Sequence, residues 1–176
     1  LMALNGEKEP SAPLVSKPGI CDYLTGLYAM WAALMGVYHA QKTGEGDVID
    51  VSQYESCLRV QGYGPLMYTT TGEQLKRTGN KEATYAGIDV FECKDGNYCV
   101  VQVSGRPAAK AIAALLGLDD EEHFIEGRPT LNGTPQGDRL DGAIKAFCLE
   151  RTPDEVETQL KAIGVACAPI NNYEML

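Results

Sequence analysis

The amino-acid sequence predicts a protein of the α/β class, and three patterns lead to this prediction. A long apolar helix is followed by a short strand and a second helix, a β-hairpin lies near the middle, and capped helices precede a final strand. The hairpin and the helices after it have the spacing of a small α+β unit. With 176 residues, 44% hydrophobic and 22% charged, the chain suits one domain or one domain with part of another.

The first predicted helix runs from about Asp22 to Lys42 and ends at Gly44, since glycine readily adopts the left-handed cap conformation. Residues 27–35 are apolar on every face of this helix, so we expect it to be buried all round. Because the rest of this sequence offers too little sheet to bury it, we expect sequence missing from this chain to do so. Asp22 occupies the position expected of the N-cap.

A short strand is predicted at Val48–Val51, directly before a second helix. Ser52 and Glu55 have the spacing of a capping box, which places the helix start at residue 53. This helix is predicted to extend to about Gly62 or Met67.

The hairpin is predicted from two strand-like segments, residues 88–93 and 98–103, on either side of Asp95-Gly96. Thr152 as N-cap, Pro153 and Glu155 mark the start of the last helix. After the hairpin, helices are predicted at about Pro107–Leu116, Gly137–Glu150 and Pro153–Ile163. The final strand is predicted at Val165–Ala168.

Charge and hydropathy exclude some classes of partner. The chain has 15 Lys and Arg against 24 Asp and Glu, a net charge of −9, so we expect neither nucleic acid nor an anionic membrane as a partner. The longest apolar run, Leu27–Tyr38, is shorter than the roughly 20 residues that span a bilayer. We therefore expect no membrane span, and no secretory leader is recognised.

Both ends of the sequence look cut, so we expect a fragment of a longer polypeptide.

Cysteine and histidine spacing gives no metal motif. The six cysteines lack the close pairs of zinc sites, and we expect free thiols in a reducing cytoplasm. His39 and His123 have no ligand partner at helical spacing, and we expect surface or capping roles for both. Cys21 precedes the predicted helix, but no histidine adjoins it, so a Cys–His nucleophile is weakly supported.

Asp22 is the candidate for chemistry, with two interpretations. It caps the helix, a common role contributing about 1 kcal/mol, or its carboxylate stays ionised near the helix N-terminus and acts as a nucleophile. The spacing alone favours capping. The glycines form no phosphate-binding fingerprint.

Four stretches resemble the class III coenzyme A transferases, in order along nearly the whole chain. They are DYLTGLYA at residues 22–29, KTGEGDVIDVS at 42–52, Tyr85-Ala86-Gly87 followed by VFECKDG at 90–96, and GVACAPI at 164–170. The third stretch is close to the carnitine branch of the family.

The resemblance implies that Asp22 is the nucleophile. CoA passes between carboxylic acids through a mixed anhydride and a thioester on this side chain, so no cofactor is expected beyond the coenzyme A thioester that serves as substrate. Tyr85 and Gly87 are the nearest match to the family's substrate-binding loop, and a carnitine or crotonobetaine type of acid is expected.

The resemblance also implies an architecture. Residues 1–52 would belong to a large Rossmann-like domain, 53–80 to a linker helix and loop, and 81–176 to a small α+β domain of an interlocked, cytoplasmic homodimer. Because the family's CoA-binding residues come mostly from an N-terminal half absent from this sequence, we expect this chain alone to be inactive.

Two alternatives stay open. α-Methylacyl-CoA racemases share the fold and pair an Asp with an upstream His, but a glycine-rich stretch follows their Asp, whereas Tyr-Leu-Thr-Gly follows Asp22. A non-catalytic binding or scaffolding module would use Asp22 only as a cap.

Overall fold

The computed structural model describes residues 4–174. It divides into two compact units, one up to Gly79 and one from Asn80 onwards. The predicted linker 53–80 falls almost entirely in the first unit, and its role as a linker stays a prediction. Each unit is described separately below.

Residues 4–79 of the first unit contain three α-helices. They are α1 (Ile20–Thr43), α2 (Gln53–Arg59) and α3 (Gly64–Thr71). Helix α1 ends as predicted at Gly44, which has φ 78° and donates its N–H to Ala40 O at 2.8 Å. Ser52 caps α2 by accepting the Glu55 N–H at 3.4 Å. Glycine and serine thus end one helix and begin the next, as their local chemistry requires.

Two expectations for this unit are wrong, and a third, burial of α1, is not met by residues 4–79 alone. Residues 48–51 form no strand, because no strand in the described part of the unit is available to pair with them. Helix α2 ends at Arg59, and a separate helix follows. Helix α1 has no buried residue: Trp31 is 63% exposed and Met35 68% exposed. An apolar sequence indicates what a helix face prefers to contact, and residues 4–79 do not supply that contact.

Helix α1 also bears on the expectation that no segment is long enough to span a membrane. Its 24 residues are long enough, and an 18-residue window within them is apolar enough, to cross a bilayer by length and composition. The run Leu27–Tyr38 is too short, but the helix continues beyond it at both ends with few charges. A single helix of this kind is weak evidence for a membrane protein, since core helices of soluble proteins meet the same criterion.

The second unit contains a three-stranded antiparallel sheet in the order β1-β2-β3, made of β1 (Ile88–Glu92), β2 (Tyr98–Gln102) and β3 (Ala166–Pro169). The predicted hairpin is present, with Phe91 opposite Cys99. Gly96 has φ 78° in the turn and donates its N–H to Cys93 O. Asp-Gly therefore makes the turn that its conformational preferences indicate.

Within residues 80–174, four helices accompany the sheet: α4 (Gly105–Leu115), α5 (Glu122–Ile125), α6 (Pro135–Leu149) and α7 (Pro153–Ala162). The predicted capping box opens α7: Thr152 accepts the Glu155 N–H, and Glu155 accepts the Thr152 N–H at 2.8 Å. Side chains from both layers form one core that includes Val101, Ile112, Ile144 and Leu160.

Cysteines make up part of this core. Cys99 lies with its Sγ atom 3.7 Å from that of Cys93 and 3.8 Å from that of Cys148. These three side chains are buried, and Cys167 packs beside them partly exposed. All six cysteines are free, as predicted.

Candidate functional site

Asp22 is the third residue of α1, not its N-cap. Gly19 occupies the cap position without a side-chain hydrogen bond, and the Asp22 N–H donates to Gly19 O at 3.1 Å. Because Ile20 and Cys21 already have helical geometry, the carboxyl group lies within the first turn. The capping interpretation of Asp22 is therefore wrong, and its exposed carboxylate lies where the helix dipole favours negative charge.

The partner of Asp22 is Gln53, which the sequence did not single out. The Gln53 Nε2 amide donates a hydrogen bond to Asp22 Oδ1. No hydrogen bond described for residues 4–174 uses Asp22 Oδ2. One carboxylate oxygen is thus held by a neutral donor, whereas the other has no hydrogen-bond partner among the described residues.

The thiol beside Asp22 does not resemble an activated nucleophile. Cys21 and Cys57 lie next to each other, and their hydrogen bond together with burial raises the pKa of the Cys57 thiol. A raised pKa lowers the thiolate fraction on which cysteine nucleophilicity depends. We therefore assign no catalytic role to either thiol.

The two histidines have structural positions. His39 is exposed on α1, and its carbonyl oxygen accepts the Thr43 hydroxyl at 3.0 Å. His123 Nε2 lies 2.9 Å from the hydroxyl of buried Thr130. Among residues 4–174, no group of three or more His, Cys, Asp or Glu side chains is arranged to hold a metal ion.

Tyr85 and Gly87 come together in the second unit, on the segment that leads into β1. The Ala86 N–H donates to Thr130 O at 2.9 Å, and the Gly87 N–H donates to Asp141 Oδ1 at 2.7 Å. Gly87 has φ 79°, and a Cβ there would lie 2.9 Å from Val103 Cγ2. The segment is therefore anchored on both sides and requires glycine at residue 87.

A cavity of about 300 Å³ lies beside this segment. Its lining is mostly apolar and includes Tyr85, Ile88 and Val103, with Arg106 and Arg128 as the charged members. Gly87 is buried behind the lining and not part of it. A cavity of this size and character suits a small organic molecule.

A second cavity of about 330 Å³ lies in the first unit, between α1 and the start of α2. It is lined by Tyr28 and Trp31 together with Asp50, Glu55 and Arg59, among others. Trp31 follows Asp22 by nine residues, roughly 14 Å along the helix axis. Neither Asp22 nor Gln53 lines this cavity, although Ser52, the neighbour of Gln53, does.

The whole chain, residues 1–176, matches the model of CoA-transferase family III. The chain therefore belongs to this family.

Two curated relatives show the same relationship. The chain is 32% identical over 176 residues to the bile acid CoA-transferase BaiK of Clostridium scindens, with 96% of this chain and 39% of the relative covered. It is 37% identical over 175 residues to the L-carnitine CoA-transferase of a Proteus species, with 94% and 42% covered. The chain thus spans about two fifths of the length of these relatives.

Solved structures support the fold. A CAIB/BAIF family protein from Brucella suis matches with a TM-score of 0.73 and 24% identity, covering 98% of this chain and 45% of that one. A hypothetical protein from Mycobacterium tuberculosis matches with a TM-score of 0.72 and 16% identity, covering 99% and 46%. The mixed α/β fold with a small sheet is therefore that of CAIB/BAIF family proteins.

Proposed function

We propose that this chain carries the nucleophile of an enzyme that transfers coenzyme A from an acyl-CoA thioester to a small carboxylic acid, and that the nucleophile is Asp22. The observation that carries the proposal is the position, exposure and hydrogen bonding of the Asp22 carboxylate. It lies exposed in the first turn of α1, does not cap the helix, and has Oδ1 bound to Gln53 while Oδ2 has no hydrogen-bond partner among the described residues. Membership of CoA-transferase family III supplies the reaction class.

The proposed reaction conserves the energy of the thioester. Asp22 Oδ2 attacks the thioester carbonyl and expels CoA thiolate, which leaves a mixed anhydride. The thiolate then attacks Cγ of Asp22, forms an aspartyl-CoA thioester and releases the donor acid. The acceptor acid attacks that thioester to form a new anhydride, and the returning thiolate attacks the acceptor's carbonyl carbon and regenerates the Asp22 carboxylate. Covalent catalysis of this kind needs no cofactor besides the CoA of the substrate.

For the acid, we propose a carnitine or crotonobetaine type or a related carboxylic acid. Support comes from the relatives named L-carnitine CoA-transferase and bile acid CoA-transferase. Tyr85 and Gly87 are proposed to belong to the substrate-binding segment. Tyr85 lines the apolar cavity of the second unit, and Gly87 fixes the backbone behind it.

For the architecture, we propose that residues 1–52 belong to a Rossmann-like large domain, 53–80 to a linker and 81–176 to a small domain, in an interlocked cytoplasmic homodimer. The exposed apolar surface of α1, which includes Trp31 and Met35, supports burial of this helix in a larger assembly.

The test uses the enzyme expressed from its complete coding sequence and the Asp22→Asn variant. Wild-type enzyme incubated with acyl-CoA and quenched with hydroxylamine should carry a hydroxamate on Asp22, detected by peptide mass spectrometry. The variant should lose nearly all CoA exchange, whereas Asp47→Asn, the same change in an exposed loop of the same unit, should keep it. Full exchange by Asp22→Asn would refute the proposal.

The same samples distinguish the racemase alternative. A racemase exchanges the α-proton of its acyl-CoA with deuterium from D₂O and forms no covalent adduct. Deuterium uptake at the α-carbon without a hydroxamate on Asp22 would favour that reaction over CoA transfer.

A further inference from the structure

The side chain of Gln53 contacts Asp22, the proposed nucleophile. It is the first residue of α2, and its Nε2 amide donates to Asp22 Oδ1 across 31 residues of chain. Both side chains belong to the first unit and both are exposed, so a reactant can approach them.

The backbone around Gln53 is anchored on its N-terminal side. Ser52 Oγ accepts the Glu55 N–H, and Ser52 O accepts both the N–H of Ser56 at 3.1 Å and its hydroxyl at 2.8 Å. Ser56 is 6% exposed, which makes it one of the few buried polar residues of the chain. These bonds fix the backbone of the first turn of α2, and hence the position from which the Gln53 side chain extends.

A second contact holds the same two helices together. Cys57 is one turn after Gln53 on α2, and its thiol lies beside that of Cys21, the neighbour of Asp22 on α1. Residues four apart on a helix share a face, so Gln53 and Cys57 both point towards the start of α1. The Asp22–Gln53 pair and the neighbouring Cys21 and Cys57 thiols thus lie at the same crossing of α1 and α2.

We propose that Gln53 is a catalytic residue of the CoA transfer, one that holds Asp22 Oδ1 in the resting enzyme and stabilises the negative charge that forms on this oxygen during the reaction. The proposal rests on the assignment of Asp22 as nucleophile. With Oδ1 bound to Gln53, Oδ2 is the oxygen that attacks and becomes the bridging atom of the anhydride.

The charge appears on Oδ1 in the next step. When CoA thiolate attacks Cγ, the electron pair of the Cγ–Oδ1 double bond moves to Oδ1, and the Gln53 N–H donates to the resulting oxyanion. Collapse of the tetrahedral intermediate re-forms that double bond and breaks the Cγ–Oδ2 bond, and the donor acid leaves as a carboxylate with Oδ2. A neutral amide suits this role because it donates to the developing oxyanion without a cationic charge that would reduce the nucleophilicity of the resting carboxylate.

The test compares Gln53→Ala and Gln53→Glu with a matched control, Gln41→Ala, an exposed glutamine of α1. Loss of one oxyanion donor typically costs about 10²- to 10³-fold in kcat. We therefore expect kcat of Gln53→Ala to fall at least about 100-fold, with KM for acyl-CoA changed only a few-fold and the control unaffected. Because Gln53 is exposed, the variants should fold, which circular dichroism checks.

Two further readouts separate this role from a structural one. Rapid quenching should show the anhydride accumulating over the aspartyl-CoA thioester in Gln53→Ala, because the slowed step is thiolate attack on Cγ. Gln53→Glu should be least active at neutral pH and recover as the pH falls, since the introduced carboxyl group can donate only when protonated.

The outcomes are distinguishable. Undiminished kcat in Gln53→Ala, with Asp22 carrying the hydroxamate, overturns the role of Gln53 and leaves the proposed function intact. An active wild-type enzyme with no adduct on Asp22 overturns the proposed function and this role together.

Discussion

The carboxylate of Asp141 accepts a hydrogen bond of 2.7 Å from the backbone N–H of Gly87, 54 residues earlier in the chain. Asp141 lies on α6 and also forms an ion pair with Lys81 through Oδ2. Its side chain is only 18% exposed, so water competes weakly for either interaction. A single partly buried carboxylate therefore links α6 to the backbone of the proposed substrate-binding segment.

Removal of this acceptor should loosen the segment and destabilise the second unit. We expect Asp141→Ala to lower the free energy of unfolding by about 1–3 kcal/mol, the usual range for a hydrogen bond to a charged group with its donor left unpaired. Asp141→Asn keeps an acceptor for Gly87 and should lose less than half as much. Urea denaturation measures both, with Asp138→Ala as the control that removes a charge from the exposed side of the same helix. Equal losses for Asp141→Ala and Asp138→Ala would contradict this account.

Replacing either of two glycines by alanine should change the free energy of unfolding, in opposite directions. Gly87 has φ 79° and a Cβ would lie 2.9 Å from Val103 Cγ2, so Gly87→Ala should destabilise by about 2 kcal/mol or more. Gly142, in the middle of α6, has no positive φ, and a Cβ added there would meet no atom within 4 Å. Gly142→Ala should therefore stabilise by about 0.5–1 kcal/mol. Thermal unfolding monitored by circular dichroism compares the two, and an unchanged or raised midpoint in Gly87→Ala would show that backbone strain and crowding at residue 87 do not limit stability.

Local chemistry predicted much of the second unit. The Asp95-Gly96 turn and the Thr152–Glu155 capping box are each decided by residues close in sequence, and both are present. Helix α5 was missed because four residues are too few to show helical periodicity. Its position is set by contacts such as that between His123 and Thr130.

The site was less predictable, because its contacts join distant residues. Asp22 was singled out for its place before an apolar run, but Gln53 is 31 residues away and carries no motif of its own. Likewise, nothing near Asp141 indicates that it binds Gly87. The burial expected for α1 is not seen within residues 4–79 for a related reason: an apolar pattern indicates that a helix prefers a partner, and it does not say which part of a protein provides one.

The capping box of α7 predicts a dependence of stability on pH. The backbone N–H of Thr152 donates to Glu155, which lowers the pKa of this carboxyl group below its ordinary value of 4.5. A group with a lowered pKa stabilises the folded state above its unfolded-state pKa, and that contribution is lost as the pH falls through the folded-state pKa. Stability should therefore drop more between pH 6 and pH 3 in wild type than in Glu155→Gln.

Urea titrations at the two pH values measure this difference. The companion variant Thr152→Ala removes the other half of the capping box and should cost about 1 kcal/mol at neutral pH. Identical pH profiles for wild type and Glu155→Gln would show that the bond to the Thr152 N–H does not affect folding.

The cysteine cluster predicts selective thiol reactivity. Hydrogen bonding with Cys148, together with burial, raises the pKa of Cys99, and burial raises the pKa of Cys93. Cys167 is partly exposed, but its hydrogen bond with Cys99 also raises its pKa. Alkylation requires thiolate and access, so iodoacetamide at pH 7.5 should label Cys21 before any of these thiols in the folded chain.

All six thiols should react at similar rates in 8 M urea, where neither burial nor the cluster persists. Peptide mass spectrometry after timed quenching gives the rate at each cysteine. Because Cys93 and Cys99 are 2% and 0% exposed, they should be labelled only as fast as the second unit opens. The destabilising Asp141→Ala change should therefore speed labelling of Cys93 and Cys99 and leave that of Cys21, in the first unit, unchanged. Equal acceleration at all three cysteines would mean that the two units do not unfold separately.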